Sequence, residues 1–427
     1  MAASDHYAGR IEDARLVTGR GRYVGDLAFD RMAHAAVLRA PYAHARIERI
    51  DAAAARAAPG VLAVLTAADL AADGIGDLPC GVELPRPDGS KAFQARRQVL
   101  ARDRVRCVGE AVAFVVAETL GQAQAAAELI EVDYDALPAV ATVERALTPG
   151  ADRVWDEVSD NIAFVWKGGQ TDAIGKALAT APRVVRLKSQ ITRITATPME
   201  PRGAVGLVAP DGRLVLHHSN QSPYGTRNAI AGMLKLAPSQ VRIVAGDVGG
   251  SFGMKAGIFP EDLLVIWAAR RLGRPVRWIA DRSESFLSDE HGRDVGFEAA
   301  LALDGEHRLL ALHGRFDINV GCYINGRSMG LLNNIGGIAG VYRIPVIAAA
   351  VQGVFTNTQM TSPYRGAGRP EATYVIERLV DLAAREIGID PFELRRHNLV
   401  PPEAMPYDTG FAFKYDCGEF EQNMLAA

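Results

Sequence analysis

The sequence predicts an α+β fold, in which strands and helices are mixed within two successive domains. The first observation is that apolar runs of strand length alternate with helix-forming stretches along the chain. The second is the length of 427 residues, which allows two or three domains with large buried cores. The third is a composition of 48% hydrophobic and 23% charged residues, which is typical of a globular protein and argues against a disordered chain.

The N-terminal part of the chain shows both kinds of element. Residues 61–65 are rich in β-formers, and residues 110–117 form an apolar run that predicts a buried strand. Helix formers follow over residues 118–129. Residues 130–134 then alternate apolar and polar side chains, which predicts a half-buried strand.

A domain boundary is predicted near residue 147. Pro149-Gly150 and scattered charges follow the last element of the N-terminal part there. The predicted domains are therefore residues 1–147 and residues 148–427.

The C-terminal part carries clear helix signals. Pro260 stands at the first position, and Gly273 just past the end, of a helix predicted over residues 261–272. A long helix over residues 370–387 is stopped by Gly388. Asp390 is predicted to cap the helix that follows it. Strands are predicted in this part at residues 213–217, 241–245 and 275–280.

Charge and cysteine content exclude several classes of protein. The formal net charge is −3, so the basic surplus that nucleic acid requires is missing. No apolar run reaches the roughly 18 residues of a membrane span, and the first residues show no secretory signal. We therefore expect a cytoplasmic protein with no nucleic-acid partner and no membrane span. Four cysteines lie far apart without a C-x-x-C pair, which predicts buried or half-buried free thiols: Cys80, Cys107, Cys322 and Cys417.

A glycine-rich loop over residues 246–255 is the most concentrated motif. It follows a predicted strand, and it places Phe252 between glycines. The backbone N–H groups of such a loop can closely approach an oxygen-rich ligand. Its spacing matches neither a dinucleotide fingerprint nor a Walker A loop. A tight crossover packed against another backbone is the alternative.

The same loop matches G-x-S-x-G, the nucleophile-elbow pattern of α/β-hydrolases, over residues 249–253. Ser251 would then be the nucleophile. The helix that should begin at this serine is predicted only from Pro260, so the context agrees in part. A serine hydrolase is thus a further alternative, with four downstream histidines available for a triad: His291, His307, His313 and His397.

Two further loops carry polar side chains. Residues 362–371 hold Arg365 and Arg369 beside two glycines and lead into the long helix, whose N-terminus favours an anion. The alternative is a solvated turn whose arginines pair with carboxylates. In residues 219–224, Gln221 could donate an amide N–H to an oxo or carbonyl group, or it could be an ordinary loop residue.

Seven motifs follow one another along the chain, and their order is informative. They are TGRGRYVGD (18–26), RAPYAHARI (39–47), VRCVGEAVA (105–113), MEPRG (199–203), NQSPY (220–224), GGSFG (249–253) and YRGAGRPE (364–371). Together they resemble the molybdopterin-binding large subunit of the molybdenum hydroxylases, the family of xanthine dehydrogenase, aldehyde oxidase and carbon monoxide dehydrogenase. The first three motifs are similar to its α/β hammerhead domain, and the last four to its first molybdopterin-binding domain.

The resemblance implies a molybdopterin cofactor, of which the cytosine dinucleotide is one form. The pterin dithiolene, and no protein side chain, would hold the molybdenum. The implied catalytic residues are Gln221, whose amide approaches the molybdenum oxo group, and Arg365, which stabilises negative charge on the substrate. The implied cofactor-binding residues are Gln221, Gly249, Gly250, Phe252, Gly253 and Arg365.

Three positions differ from the family motifs, and these differences indicate which class of substrate the chain would bind. Purine-oxidising members carry a carboxylate where this chain has Ala256, and a second aromatic residue where it has Ala367. Carbon monoxide oxidisers carry a copper-binding cysteine where this chain has Gly366. The resemblance therefore implies a pocket with Ala256 and Ala367, and an aldehyde or N-heteroaromatic substrate that is oxidised with water as the oxygen source.

The C-terminal end is the largest departure, because family large subunits continue for about as many residues again. The second molybdopterin-binding domain and the glutamate general base would lie there. The expected partners are a chain that carries this second domain, a subunit with 2Fe-2S clusters and a subunit with FAD. A non-catalytic or truncated fragment that serves only in assembly is the alternative.

Overall fold

The computed structural model describes residues 9–427, and its architecture is mixed, as predicted. A seven-stranded and a five-stranded sheet contain most of the strands of this part of the chain. The strands are β1 (Ala33–Arg39), β2 (Ala45–Asp51), β3 (Val61–Leu65), β4 (Arg104–Val105), β5 (Ala111–Ala117), β6 (Glu131–Ala136), β7 (Ile162–Gly169), β8 (Arg183–Ile194), β9 (Gly203–Val208), β10 (Leu214–His218), β11 (Val241–Val244), β12 (Val276–Ile279), β13 (Gly292–Leu303), β14 (Leu309–Gly321), β15 (Val346–Phe355), β16 (Tyr407–Asp408) and β17 (Lys414–Tyr415).

The helices lie between these strands and on both large sheets. They are α1 (Asp13–Leu16), α2 (Ala53–Ala57), α3 (Ala67–Ala72), α4 (Leu120–Glu128), α5 (Val143–Ala146), α6 (Thr171–Thr180), α7 (Pro223–Met233), α8 (Pro260–Leu272), α9 (Arg282–Ser288), α10 (Gly330–Asn334), α11 (Arg369–Ile387), α12 (Pro391–Asn398) and α13 (Phe420–Ala426).

The seven-stranded sheet has the order β11-β10-β9-β12-β1-β5-β3. Strand β1 pairs in antiparallel with β5 and in parallel with β12, so strands from both sides of residue 147 share one sheet. Helix α8 packs on β9, where a Cβ added to Gly206 would lie 2.8 Å from the Cα of Ile266. This close approach requires glycine and buries α8 over its first ten residues. The boundary at residue 147 stays a prediction.

The five-stranded sheet has the order β7-β15-β14-β13-β8 and is antiparallel except between β14 and β15. Helix α11 covers one face with a buried apolar stripe that includes Val375, Leu379 and Ala383, at the four-residue spacing of one helix face. Helix α6 packs on the other face. Strand β13 begins directly after His291, and α11 begins directly after the loop that holds Arg365. Because α11 packs on β13, these two loops lie together.

The helix signals of the sequence are confirmed. Gly273 ends α8 with a left-handed φ of 64°, and Gly388 ends α11 with a φ of 76°. The Asp390 carboxylate caps α12 by accepting the backbone N–H groups of Phe392 and Glu393. Local residue choice therefore fixes these helix ends, as the cap preferences predict.

The cysteines follow the prediction in three positions of four. Cys80, Cys107 and Cys322 are buried free thiols, whereas Cys417 is exposed, so the prediction was wrong for Cys417. That residue lies just before the short terminal helix α13, which buries none of its residues. In residues 9–427, no cluster of three or more His, Cys, Asp or Glu side chains could hold a metal ion. No helix in this range is long and apolar enough to cross a membrane.

Candidate cofactor site

Three loops that the sequence analysis singled out meet at one place, which we call the three-loop junction. It comprises residues 219–222, 249–255 and 362–368. The Oε1 atom of Gln221 accepts hydrogen bonds from the Ser251 hydroxyl and from the Gly253 N–H, the latter at 2.9 Å. Since a backbone N–H can only donate, this contact fixes the orientation of the amide. The NH₂ group of Gln221 forms no hydrogen bond within residues 9–427, so it remains available as a donor.

A second contact joins the glycine loop to the arginine loop. The backbone N–H of Arg365 donates to the Phe252 carbonyl at 2.9 Å. At Gly253 the φ is +102°, and an added Cβ would lie 2.4 Å from the Pro363 carbonyl oxygen. Only glycine permits this approach, so the contact between the two loops depends on glycine at position 253.

Two non-glycine residues of the three-loop junction have left-handed backbones. The φ of Phe252 is 55° and that of Ala367 is 47°. Such conformations cost free energy and persist where the surrounding contacts enforce them, and they are common at functional sites. The Phe252 side chain is 43% exposed, so the loop presents an aromatic face to solvent.

A buried ion pair between Lys255 and Glu200 holds the glycine loop in place. The Lys255 ammonium is fully buried and donates to the Glu200 carbonyl at 2.7 Å and to the Ser219 hydroxyl at 2.8 Å. The Glu200 carboxylate accepts the Gly249 N–H at 2.8 Å and pairs with Lys255 at 3.3 Å. Burial lowers the pKa of Lys255, while Glu200 opposes that shift. The sequence motifs that contain Glu200 and Lys255 indicated no role for either residue.

A second buried pair supports the Gln221 loop. The Nε2 atom of His218 lies 3.0 Å from the Asp262 carboxylate of α8, and its Nδ1 lies 3.0 Å from the Asn220 amide. Asn220 in turn accepts the N–H of Ser222, on the other side of Gln221. The loop is thus anchored to the buried helix α8 through His218.

The side chains of the three-loop junction are donors and cations. Gln221 offers its NH₂ group, the Arg365 side chain is exposed, and helix α11 starts next to it without a side-chain cap. Residues 219–222, 249–255 and 362–368 include no Asp or Glu, although Asp247 and Glu371 lie in the longer sequence segments 246–255 and 362–371. This donor set fits an oxygen-rich anionic group, as a pterin phosphate or a metal oxo group would be, and does not fit a metal ion held directly by side chains.

The two alanines expected in one substrate pocket line separate cavities. Ala256 lines a cavity of about 260 Å³ together with Thr226 of α7 and Met360. Ala367 lines a small space of about 20 Å³ beside Tyr364. Three charged residues that the sequence analysis did not single out also line the larger cavity: Arg97, Glu290 and Arg327.

The geometry gives no support to a Ser251 nucleophile. Its hydroxyl donates to Gln221 and accepts the Lys255 N–H at 3.2 Å, and no histidine within residues 9–427 hydrogen-bonds to it. Of the downstream histidines, His291 lies against Arg193 instead. A catalytic triad around Ser251 is therefore not formed in the described part of the chain.

Comparison with known families agrees with this geometry. The model of the molybdopterin cofactor-binding domain matches residues 154–399, and the model of the aldehyde oxidase and xanthine dehydrogenase a/b hammerhead domain matches residues 18–138. The chain belongs to the aldehyde oxidase and xanthine dehydrogenase family. The resemblance and the two kinds of domain are thereby confirmed, while the individual site residues stay predictions.

Individual relatives of this family differ in length. The chain is 34% identical over 96% of its length to the 6-hydroxypseudooxynicotine dehydrogenase complex subunit gamma of Paenarthrobacter nicotinovorans, and covers 51% of that relative. It superposes on quinoline 2-oxidoreductase from Pseudomonas putida with a TM-score of 0.91 and 37% identity, covering 98% of this chain and 52% of the other. The chain thus spans about half the length of these relatives. It is also 28% identical over 90% of its length to the nicotinate dehydrogenase large molybdopterin subunit of Eubacterium barkeri, of which it covers 87%.

Proposed function

We propose that this chain forms the molybdopterin-binding part of a molybdenum hydroxylase, which oxidises an aldehyde or an N-heteroaromatic compound with water as the oxygen source. The observation that carries the proposal is the three-loop junction. Hydrogen bonds join Gln221 to Gly253 of the glycine loop, and join Phe252 of that loop to Arg365. When bound, the cofactor would supply the two-electron redox chemistry that amino-acid side chains lack.

Gln221 and Arg365 would act by electrostatics and positioning. The Gln221 carbonyl oxygen is engaged by the glycine loop, so its NH₂ group is held as a fixed donor toward the cofactor. The exposed Arg365 guanidinium is a positive charge that would stabilise negative charge developing on the substrate. Gly249, Gly250, Phe252 and Gly253 would pack on the cofactor.

The proposed substrate class rests on three side chains that other family members carry and this chain does not. Alanine at positions 256 and 367 removes the carboxylate and the aromatic ring expected for a purine, and Gly366 removes the copper-binding cysteine. The names of the three relatives refer to pyridine or quinoline compounds, which supports an N-heteroaromatic substrate. The cavity beside Ala256 has apolar lining residues such as Ile258 and Met360, which suit such a ring, alongside the three charged residues named above.

The partners are proposed from the length of the relatives. A polypeptide that corresponds to their remaining half would supply the second molybdopterin-binding domain and the glutamate base. Subunits with 2Fe-2S clusters and FAD would carry the electrons away. We place the complex in the cytoplasm, with the cytosine dinucleotide as the form of the cofactor.

The proposal is tested by co-expressing the chain with polypeptides for the remaining half and the two electron-transfer subunits. Near-stoichiometric molybdenum and pterin are expected in the purified complex, measured by mass spectrometry of the metal and fluorescence of the oxidised pterin. Gln221→Ala should lower kcat for an N-heteroaromatic substrate roughly a hundredfold, as the loss of one positioned donor does.

The matched control is Gln124→Ala, because Gln124 is an exposed glutamine on helix α4, which is not part of the three-loop junction. It should leave both cofactor content and turnover unchanged. A stable complex that contains neither molybdenum nor pterin would overturn the proposal. It would favour the assembly-only alternative.

A further inference from the structure

A short segment before and at the start of β13 runs beside the arginine loop. His291 donates its N–H to the Met360 carbonyl at 3.0 Å, and its carbonyl accepts the Ser362 N–H at 2.7 Å. Gly292 then lies so close to Tyr364 that an added Cβ would be 2.4 Å from the Tyr364 Cβ. The segment therefore lies directly against the loop that carries Arg365.

Arg293, the next residue in this segment, makes three contacts. Two are with the arginine loop and one is with helix α11. Its Nη1 pairs with the Glu371 carboxylate of α11 at 2.6 Å, and its Nη2 donates to the Arg365 carbonyl at 2.8 Å. Its guanidinium also lies 5.1 Å from the centre of the Tyr364 ring. Both ion-pair partners are largely buried, with side chains 11% and 6% exposed.

The backbone at this point is held in an unfavourable conformation. Arg293 has a φ of 64° and Asp294 a φ of 65°, which is rare for two successive non-glycine residues. Asp294 is anchored by Arg193 at 2.8 Å and by the Asn319 amide at 2.9 Å. Such a conformation persists only when neighbouring contacts enforce it, so the position of the Arg293 side chain is tightly determined.

The Arg365 side chain, by contrast, has no partner in the described part of the chain. Within residues 9–427 its guanidinium forms no hydrogen bond and no ion pair, so its direction depends on the backbone that carries it. The peptide group before its Cα is fixed through the N–H to Phe252, and the peptide group after it through the carbonyl to Arg293. The next residue is Gly366, with a φ of 93°. Glycine restricts the backbone little, so the orientation of this second peptide group depends on its contact with Arg293.

We propose that Arg293 is a positioning residue, which fixes the backbone of Arg365 and thereby aims the Arg365 guanidinium at the substrate. This inference rests on the proposed function. The Arg293 guanidinium is already engaged by Glu371 and the Arg365 carbonyl, so we assign it to positioning and not to contact with the cofactor or the substrate. Lysine cannot replace it, because a single ammonium cannot contact the Glu371 carboxylate and the Arg365 carbonyl in the same fork-like geometry.

The experiment compares Arg293→Lys and Arg293→Ala with the wild type in the purified cofactor-loaded complex. Both variants should lower kcat roughly tenfold or more while KM changes less than roughly threefold, because a misdirected charge weakens transition-state stabilisation more than binding. Hydrogen exchange, measured by mass spectrometry, should become faster in peptides covering residues 362–368. Glu371→Gln, which keeps the shape but removes one charge of the pair, should show a smaller change in the same direction.

The control is Arg315→Ala, since Arg315 is an exposed arginine on the neighbouring strand β14. It should change neither kcat nor the exchange of residues 362–368. Wild-type kcat and exchange in Arg293→Lys and Glu371→Gln would overturn the inference, even if Arg293→Ala failed to fold. Failure of the proposed function would be seen differently, as missing molybdenum and pterin in the wild-type complex.

Discussion

At the scale of single residues, the three-loop junction is held by polar side chains that lie beneath its surface. Lys255 and Glu200 fix the glycine loop, and His218 fixes the Gln221 loop through Asn220. An ion or a polar group that is buried in this way must be paired, because an unpaired one costs several kcal/mol. The exposed Gln221 thus depends on the buried side chains of other residues for its position.

His291, whose carbonyl accepts the Ser362 N–H beside the arginine loop, should make the stability of the protein depend on pH. Burial, assisted by the nearby Arg193 charge, lowers its pKa from the ordinary 6.5 to about 4. The unfolded chain therefore binds more protons between these two pH values than the folded protein does. The free energy of unfolding should consequently fall as the pH drops from about 6.5 to about 4, by at most about 3 kcal/mol from this group.

Urea denaturation of the wild type and of His291→Gln at about pH 7 and about pH 4.5 checks this expectation. The variant should lose less stability between the two pH values than the wild type does. His397→Gln is the control, because His397 is exposed, and it should keep the wild-type pH dependence. Equal pH dependence in wild type and His291→Gln would contradict the prediction.

At the scale of elements, the site is formed where loops approach each other more closely than side chains allow. Gly253 faces the Pro363 carbonyl, and Gly292 faces Tyr364. Helix α11 and the sheet strand β13 hold the two ends of this contact through their packed apolar faces. The loops are therefore positioned by regular elements, and the glycines permit that position.

Gly253→Ala is expected to disturb this contact specifically. The added Cβ would lie 2.4 Å from the Pro363 carbonyl oxygen, at a φ of +102° that alanine rarely adopts. The free energy of unfolding should fall by about 2–4 kcal/mol, from backbone strain and the clash together. The complex should also lose most of its molybdenum and pterin.

The matched control is Gly212→Ala, in the turn between β9 and β10. Its φ is +83°, but no heavy atom lies within 4 Å of an added Cβ. Gly212→Ala carries the backbone strain without the clash, so it should cost about 1–2 kcal/mol and leave cofactor content unchanged. Equal losses of stability and cofactor in the two variants would refute the role of the loop contact.

At the scale of the whole molecule, one core connects the two parts of the chain. Buried side chains of the N-terminal part, such as Leu65 and Phe114, belong to the same hydrophobic cluster as Leu264, Trp267 and Trp278 of the C-terminal part. An ion pair between Arg39 and the buried Glu261 at 2.7 Å crosses the same contact. The two predicted domains therefore share surface that neither could leave exposed at low cost.

Residues 1–147 expressed alone should accordingly fail to give a stable fold. Residues 1–147 alone would expose the apolar side chains that face α8. Strand β1 would also lose its partner β12, so the edge of β1 that pairs with β12 would be open. Circular dichroism during urea denaturation should show no cooperative unfolding, whereas co-expression with residues 148–427 should give a soluble complex of both parts. Cooperative unfolding of residues 1–147 alone would contradict this expectation.

Much of the local structure could be predicted from the sequence. Helix α8 and helix α11 end where Gly273 and Gly388 require it, and the buried strand β5 follows from its continuous apolar run. Each of the three loops of the candidate site could be selected from its own residues. The glycine cluster and the arginines before a helix start indicated ligand contact, whereas Gln221 by its residue type could equally be an ordinary loop residue. Their functional roles came from the resemblance to a family, and these roles stay proposals.

The helix ends, the main strands and the unusual composition of the loops are readable from the sequence, because each depends on residues that are neighbours along the chain. The packing of the folded chain is needed to bring the Gly253 N–H to Gln221, Lys255 to Glu200, and Arg293 to the Arg365 carbonyl. These partners are separated by 32, 55 and 72 residues. Contacts over such distances depend on how the sheets and helices pack, and no local pattern of residues encodes them.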